Sequence, residues 1–174
     1  DTRQLLEVDL SMHGSSHVTA TPAADGRSIY AYAGSPHAHF MRYDPGTGEL
    51  TDLGAPAEYA SYFAPGALAP DGRFYVGTYP RAQLVWVDTA TGETGSAGAI
   101  TADNRNNYIF PSVAISDDNI VYCPVGLNHQ ELFAYDPATD QATQILPEHL
   151  AVAPHSPQVW RAIDGRVYGK TGST

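Results

Sequence analysis

The sequence contains little cysteine and little positive charge. Its 174 residues include one cysteine, Cys123, which excludes an internal disulfide and a zinc site built from several cysteines. Nine bases stand against 19 acids, and Lys170 is the only lysine. The net charge of −10 excludes the basic surface that binds nucleic acids or anionic membranes. No apolar run is long enough to cross a bilayer as a helix, so we expect no membrane insertion.

Two familiar catalytic signatures are also absent. The sequence has no Gly-x-Ser-x-Gly segment for a nucleophilic serine and no glycine-rich loop to hold a phosphate. It has instead 16 glycines and 13 prolines, with only 16% charged residues. This balance predicts an all-β protein with many short strands and turns. The length suits one domain with a sizeable core.

A repeat with a period of 46 or 47 residues organises the whole chain. Its first landmark is an Asp-Gly turn, at Asp25-Gly26, Asp71-Gly72, a degraded Asp117-Asp118 and Asp164-Gly165. Its second landmark is an apolar run that ends in aspartate and a turn, at Asp44, Asp88 and Asp136. Glycine supplies positive φ and proline presets φ, so both landmarks predict hairpins. Four short antiparallel strands in each period are the pattern of a β-propeller blade.

We therefore predict an all-β fold, a β-propeller with four four-stranded blade units in a single domain, 1–174. The units comprise residues 11–54, 55–100, 101–147, and 148–174 together with 1–10. The innermost strand of each unit is rich in small residues, because little room exists near a propeller axis. These strands are predicted at 18–23, 63–69, 109–115 and 159–163. Trp86 and Trp160 fall in predicted strands, and we expect both in the core.

The two ends of the sequence match each other in register. The fourth unit reaches Thr174 before its third strand, and the segment from Gln4 to Asp9 looks like such a strand. From Asp164 through Thr174 and on to Asp9 is 19 residues, as it is from Asp25 to Asp44. The N-terminal strand is thus predicted to complete the fourth blade. The join closes a four-bladed ring, links separate chains by self-association, or belongs to a larger ring of which this chain is a segment.

All seven histidines fall in segments that lead to one face of a propeller, which we call the loop face. It carries the loops before the first strand of each blade and those between the second and third strands. The opposite face, the turn face, carries the Asp-Gly and Asp-Pro turns. The loop-face histidines are His13, His17, His37, His39, His129, His149 and His155. Tyrosines and asparagines share their loops, and a spacing of seven before the third-strand aspartate aligns His37, Arg81 and His129.

Three chemistries suit these residues. Neutral imidazoles bind divalent metals, so His13 and His17 are candidate ligands for an ion such as Ca, Zn or Mn. His37 and His129 are candidate general bases assisted by Tyr79, with Arg81 holding a substrate carboxylate. Plain saccharide binding is the third, and its candidates are His17, Tyr62, Asn107, Tyr108 and His155. For each histidine the alternative is a solvated or hydrogen-bonding loop residue, and for Arg81 a stack on Tyr79 or a pair with an acid.

The landmarks resemble those of the β-propeller repeat superfamily over essentially the whole chain. The segment from Gly77 to Leu84 resembles segments of propeller proteins in carbohydrate-degrading systems, among them propeller polysaccharide lyases. That resemblance implies an acidic saccharide and β-elimination beside a uronic acid, with His37, His129, Tyr79 and Arg81 as the catalytic set. The alternative is a non-catalytic binding or structural propeller that self-assembles through its ends and binds a metal. We expect an extracellular or periplasmic location.

Overall fold

The computed structural model describes residues 17–151 and 155–172, and these form four antiparallel sheets in chain order. The first contains β1 (Val18–Pro22), β2 (Ile29–Ala33), β3 (His39–Asp44) and β4 (Glu49–Gly54). The second contains β5 (Tyr62–Phe63), β6 (Ala67–Leu68), β7 (Arg73–Tyr79), β8 (Gln83–Asp88) and β9 (Thr94–Ala99). The third contains β10 (Tyr108–Ile109), β11 (Ala114–Ile115), β12 (Val121–Gly126), β13 (Glu131–Asp136) and β14 (Gln141–Gln144). The fourth contains β15 (Gln158–Arg161) and β16 (Val167–Lys170).

The sheets are joined by loops and one 3₁₀ turn at Glu148–Leu150. No helix in the described ranges is long and apolar enough to cross a membrane. The all-β prediction is confirmed, and each sheet lies within one predicted unit. The unit boundaries themselves stay predictions. No sheet of the described residues closes into a ring, and the predicted N-terminal strand, with its link to the fourth unit, lies outside them.

The innermost strands of the second and third units differ from the prediction. Each is divided into two short strands that pair separately with one long neighbour, β5 and β6 with β7, β10 and β11 with β12. The interruptions contain Pro65 and Pro111, which have no N–H to donate to a ladder. Gly66 follows Pro65 and lies so close to Phe74 that a side chain at this position would overlap the ring.

The Asp-Gly turns fold as predicted, with one shift of register. Gly26, Gly72 and Gly165 have φ of 68°, 88° and 80°. In the third unit the residue with positive φ is Asn119, at 67°, so the turn lies one position later than the predicted Asp117-Asp118 pair. Asparagine adopts the left-handed conformation more readily than residues with branched side chains do. This explains how the turn forms without glycine.

The core lies between neighbouring sheets. In β7, Phe74 and Val76 pack towards the first sheet, where the Phe40 and Phe74 ring centroids are 6.2 Å apart. Tyr75 packs on the other side towards the third sheet, with its ring 6.4 Å from that of Tyr135. Because side chains alternate along a strand, β7 is buried on both faces and is apolar throughout its centre.

The fourth sheet is covered on one side only. Val159 of β15 is buried towards the third sheet, near Leu132. Trp160 and Tyr168 are direct cross-strand partners on the other side, and Trp160 is 49% exposed. The prediction that Trp160 lies in the core is therefore wrong, because no described sheet packs against this outer side. Trp86 is partly buried, with the Arg73 guanidinium 4.4 Å above its ring.

Candidate functional site

Five rings form one continuous line on the loop face. The centroids of His17 and Tyr62 are 5.2 Å apart, and those of Tyr62 and Tyr79 are 6.0 Å apart. Tyr108 follows at 5.4 Å from Tyr79, and Phe110 at 5.1 Å from Tyr108. We call these five residues the aromatic track. Edge-to-face and tilted ring pairs at such distances stabilise each other, so the track is a preformed surface.

Strand pairing fixes the middle of the track. Tyr62 and Tyr79 are directly opposite each other in β5 and β7, which places their side chains on the same side of the sheet. Gly77, two residues earlier in β7, lies against Ile109 of β10, and a side chain at Gly77 would overlap Ile109. This close approach of β7 and β10 brings Tyr108 beside Tyr79. The local sequence thus carries the track from the second sheet to the third.

The track is open to solvent at both of its ends and along its middle. Tyr62 is 49% exposed and Phe110 is 46% exposed. Burial, with a smaller contribution from neighbouring Tyr62, raises the pKa of the Tyr108 phenol. The phenol therefore remains a neutral hydrogen-bond donor at physiological pH. The track offers apolar ring faces with polar groups at their edges.

His37, Arg81 and His129 occupy equivalent positions, as their spacing predicts. Each stands two residues before a six-residue strand, β3, β8 or β13, which corresponds to the predicted third strand of its unit. The residue that follows each is fully buried, and these residues are Ala38, Ala82 and Gln130. Equivalent backbone positions nevertheless give the three side chains different neighbours.

His37 and Arg81 meet at Glu58. The Nδ1 atom of His37 lies 3.1 Å from the main-chain oxygen of Glu58, and Nη1 of Arg81 lies 3.4 Å from its carboxylate. The His37 ring packs edge-on against Tyr59, with centroids 5.8 Å apart. Arg81 and the Glu58 carboxylate are both exposed, so solvent screens their attraction. Of the alternatives for Arg81, the pair with an acid is the one that the structure contains.

A buried asparagine holds the backbone at His129. The side-chain oxygen of Asn106 accepts the N–H groups of Asn128 and His129, at 2.9 and 3.0 Å. The side-chain amide of Asn106 donates to the carbonyl oxygen of His129 at 2.9 Å and to Glu131 at 3.0 Å. Asn106 is completely buried and uses its full hydrogen-bonding capacity. It clamps the loop between β12 and β13 onto the loop that precedes β10.

Carboxylates surround the His129 ring. Its Nε2 atom is 3.7 Å from Glu131, and its Nδ1 atom is 3.9 Å from Asp103 and 3.2 Å from the Asn128 side-chain nitrogen. Asp103 also accepts two hydrogen bonds from the Arg105 guanidinium, at 2.9 and 2.7 Å. These bonds lower the pKa of Asp103 to about 2. None of these partners of His129 belongs to the aromatic track.

Asn107 and His155 complete the predicted binding set. The carbonyl oxygen of Asn107 accepts the Ala82 N–H at 2.8 Å, and its side-chain oxygen is buried without a hydrogen-bond partner among the described residues. His155 lines a cavity with Phe110, at the end of the track. The structure therefore joins His17, Tyr62, Tyr79 and Tyr108 into one surface, with His155 beyond Phe110. His37 and Arg81 form a second group, and His129 a third.

The described residues do not bring the predicted metal ligands His13 and His17 together. His13 lies outside the described residues, and the His17 ring contacts Tyr62 and Phe63. Within 17–151 and 155–172, no three His, Cys, Asp or Glu side chains are grouped to hold a metal ion. A divalent ion at His13 and His17 stays a prediction. The buried thiol of Cys123 has its pKa raised by desolvation, which fits a residue of the core rather than a nucleophile.

Sequence reasoning missed Phe110, Glu58 and Asn106. Phe110 directly precedes Pro111 in a run that is predicted to be a buried inner strand. Nothing in the sequence therefore indicates that its ring is exposed. Glu58 shares a loop with Tyr59, and its link to the preceding unit depends on packing between units. Asn106 shares its loop with Asn104 and Asn107. Its complete burial could not be read from a loop so rich in polar residues.

No protein-family model matches the chain, and no curated protein matches it. Solved structures do match. A catalytically inactive histidine-to-alanine variant of virginiamycin B lyase from Staphylococcus aureus, crystallised with quinupristin, is similar with a TM-score of 0.67 and 11% identity. That match covers 90% of this chain and 49% of the lyase chain. A puromycin hydrolase matches with a TM-score of 0.53 and 20% identity, over 88% of this chain and 24% of the hydrolase.

These likenesses show the fold alone. The described residues have a β-propeller-like, all-β fold, and the chain spans about half the length of the lyase that it matches. The sequence-based prediction of a propeller is confirmed at this level. A four-bladed ring and a polysaccharide-lyase family stay predictions.

Proposed function

We propose that this chain is a saccharide-binding β-propeller protein and that the aromatic track is its binding surface. The observation that supports the proposal is the unbroken line of rings from His17 to Phe110, partly exposed along one face. Sugar rings carry apolar C–H faces and polar edges. They fit a surface of aromatic faces flanked by phenol and imidazole groups. A polysaccharide from outside the cell would place the chain in the extracellular space or the periplasm, because polymers do not diffuse through membranes.

Calorimetric titration of the chain with two tetrasaccharides tests this binding. The probes are tetragalacturonate and its carboxyl-reduced counterpart, a tetrasaccharide of galactose. Tyr62→Ala removes an exposed track ring, and we expect it to weaken binding about tenfold. The matched control is Tyr168→Ala, which removes a ring of similar exposure whose hydroxyl bonds Asp164 of an Asp-Gly turn.

The control should leave both affinities unchanged. If the parent chain and Tyr62→Ala bound the sugars equally strongly, the aromatic track would be ruled out as the binding surface. If neither tetrasaccharide bound to the folded parent chain, the saccharide-binding function itself would be rejected.

A second proposal is β-elimination beside a uronic acid, with the group at Glu58 as its centre. Arg81 would bind the substrate carboxylate and stabilise the carbanion as the adjacent C–H proton passes to His37. The electron pair then forms the carbon–carbon double bond, and the glycosidic oxygen leaves as an alcohol after accepting a proton from an acid such as Tyr79. The long, exposed Arg81–Glu58 contact supports this role, since little energy is needed to release Arg81 to a substrate.

Ultraviolet absorbance of the unsaturated product tests elimination on a panel of uronic-acid polysaccharides, with and without added divalent metal. Arg81→Ala should abolish the signal, while Arg27→Ala, an exposed arginine at an Asp-Gly turn, should retain it. A rate unchanged in Arg81→Ala would rule out the role of Arg81. Silence from the folded parent chain would leave non-catalytic binding as its function.

A further inference from the structure

A cavity of about 270 Å³ lies where the aromatic track reaches the fourth sheet. Its lining joins the third and fourth sheets and includes Phe110, Leu127, His155, Ser156, Gln158 and Lys170. Phe110 is also the last ring of the track, so the cavity and the track share a wall. Gln158 and Lys170 are direct cross-strand partners in β15 and β16, and both are exposed.

The charge of this cavity is opposite to that of the protein. Two other cavities in the described part of the chain are bordered by carboxylates: one by Asp117, Asp118 and Asp164, the other by Glu131 and Glu148. None of the described residues that line the cavity beside Phe110 carries a carboxylate, and the lining contains Lys170, the only lysine of the sequence. No acid of the described residues forms an ion pair with Lys170. In a chain of net charge −10, a cation without an ion-pair partner among the described residues is unusual.

The backbone around the cavity is held in a strained form. Leu127 and His155 have φ of 121° and 110°, a region that residues with side chains rarely adopt. Gly126 precedes Leu127, and a side chain there would overlap Ser156. Glycine therefore allows the loop at His155 to lie against the end of β12. Strain of this kind persists where surrounding structure maintains it, and it often marks ligand sites.

We infer that this cavity binds the carboxylate group of an acidic sugar residue, with Lys170 as its counter-ion and Phe110 beneath the sugar ring. The inference rests on the proposed saccharide binding and specifies its substrate class. Ser156 and Gln158 supply hydrogen-bonding groups for the hydroxyls of the same residue. The ring faces of the adjoining sugar residues would extend along Tyr108, Tyr79 and Tyr62.

Calorimetry with the same two tetrasaccharides tests the cavity. In Lys170→Gln we expect the affinity for tetragalacturonate to fall about tenfold, and the affinity for the galactose tetrasaccharide to stay unchanged. The matched control is Arg166→Gln, which removes one positive charge near the cavity of the turn face. It should leave both affinities as they are at moderate salt, because distant charges are screened.

Four outcomes are distinguishable. Selective loss of tetragalacturonate binding in Lys170→Gln supports the inference. Equal tetragalacturonate affinity in the parent chain and Lys170→Gln overturns it while leaving the track as a saccharide site. Equal losses in Lys170→Gln and Arg166→Gln also overturn it, since they show a general effect of net charge. If the parent chain binds neither sugar, the proposed function is rejected together with the inference.

Discussion

The turn face and the loop face of this molecule use polar residues in different ways. On the turn face, aspartates recur at the same place in successive units and bond to the backbone of their own turn. The Asp44 carboxylate accepts the N–H groups of Gly46 and Thr47, and the Asp88 carboxylate those of Ala90 and Thr91. On the loop face, equivalent positions carry His37, Arg81 and His129, each with its own partners.

The contrast separates residues that build the repeat from residues that distinguish one unit from the next. A turn that must recur requires the same carboxylate and a residue in the left-handed conformation each time. A surface that binds one asymmetric ligand has no such constraint, because each unit meets a different part of it. Variation at equivalent loop positions is therefore where function is expected.

The largest expected effect is the loss of the Asn106 clamp on the loop face. Asn106→Ala leaves the N–H groups of Asn128 and His129, in a partly buried loop, without their acceptor. We expect a loss of about 3 kcal/mol in the free energy of unfolding, measured by urea denaturation. The matched control is Asn104→Ala in the same loop, which is exposed and should change stability by less than about 0.5 kcal/mol. Equal stability of the two variants would contradict the clamp.

Close packing between the second and third sheets gives the next largest effect. Gly77→Ala forces a methyl group into Ile109, and overpacking of this kind costs about 2 kcal/mol. Gly169→Ala is the control in another strand, because its added carbon would have no neighbour closer than 3.7 Å. Thermal and urea unfolding compare the two. A Gly77→Ala variant as stable as Gly169→Ala would show that the sheets are further apart than described.

A pair of substitutions separates stability from binding. Asp88→Ala removes two turn hydrogen bonds and should cost about 1 kcal/mol in unfolding free energy, with saccharide affinity unchanged. Tyr62→Ala should do the reverse, since this exposed ring adds little to the core and belongs to the proposed binding surface. Both quantities are measured on both variants. If Asp88→Ala weakened binding as much as Tyr62→Ala, the division between the two faces would fail.

The smallest effect concerns the carboxyl group of Asp103. Arg105 holds the pKa of Asp103 at about 2, below its usual value. The pair therefore stabilises the fold at and above the pH at which an unfolded aspartate ionises, and its contribution disappears as the pH falls towards 2. Carbon NMR titration of the side chain should show this low value, and Arg105→Gln should raise it. An ordinary titration of Asp103 in the parent chain would contradict the ion pair.

Much of the fold could be predicted because turn-forming residues define the repeat. Glycine, proline and aspartate have local requirements, so the hairpins and the four sheets follow from short segments. The interrupted inner strands and the exposure of Trp160 could not be predicted in the same way. They depend on which sheets pack together, and Trp160 alternates correctly with Val159 yet faces a side that no described sheet covers.

The sequence predicted the face on which the candidate residues lie. It predicted only in part which of their side chains contact each other. Assigning loops to faces placed Tyr62, Tyr79 and Tyr108 on one surface, and the ring contacts join them. The catalytic set was expected to act together, yet His129 has carboxylate partners of its own and Arg81 pairs with Glu58. Such differences arise from side chains of other loops, which lie more than 20 positions away in the sequence.

The most direct test of the account is an NMR titration of the chain with tetragalacturonate, followed through backbone and aromatic-ring signals. We predict saturable shifts at Tyr62, Tyr79, Tyr108 and Phe110, and unchanged signals at the aspartate turns of the opposite face. Shifts confined to the turn face, or an absence of shifts at the four rings while the sugar binds, would contradict the assignment of the aromatic track as the ligand site.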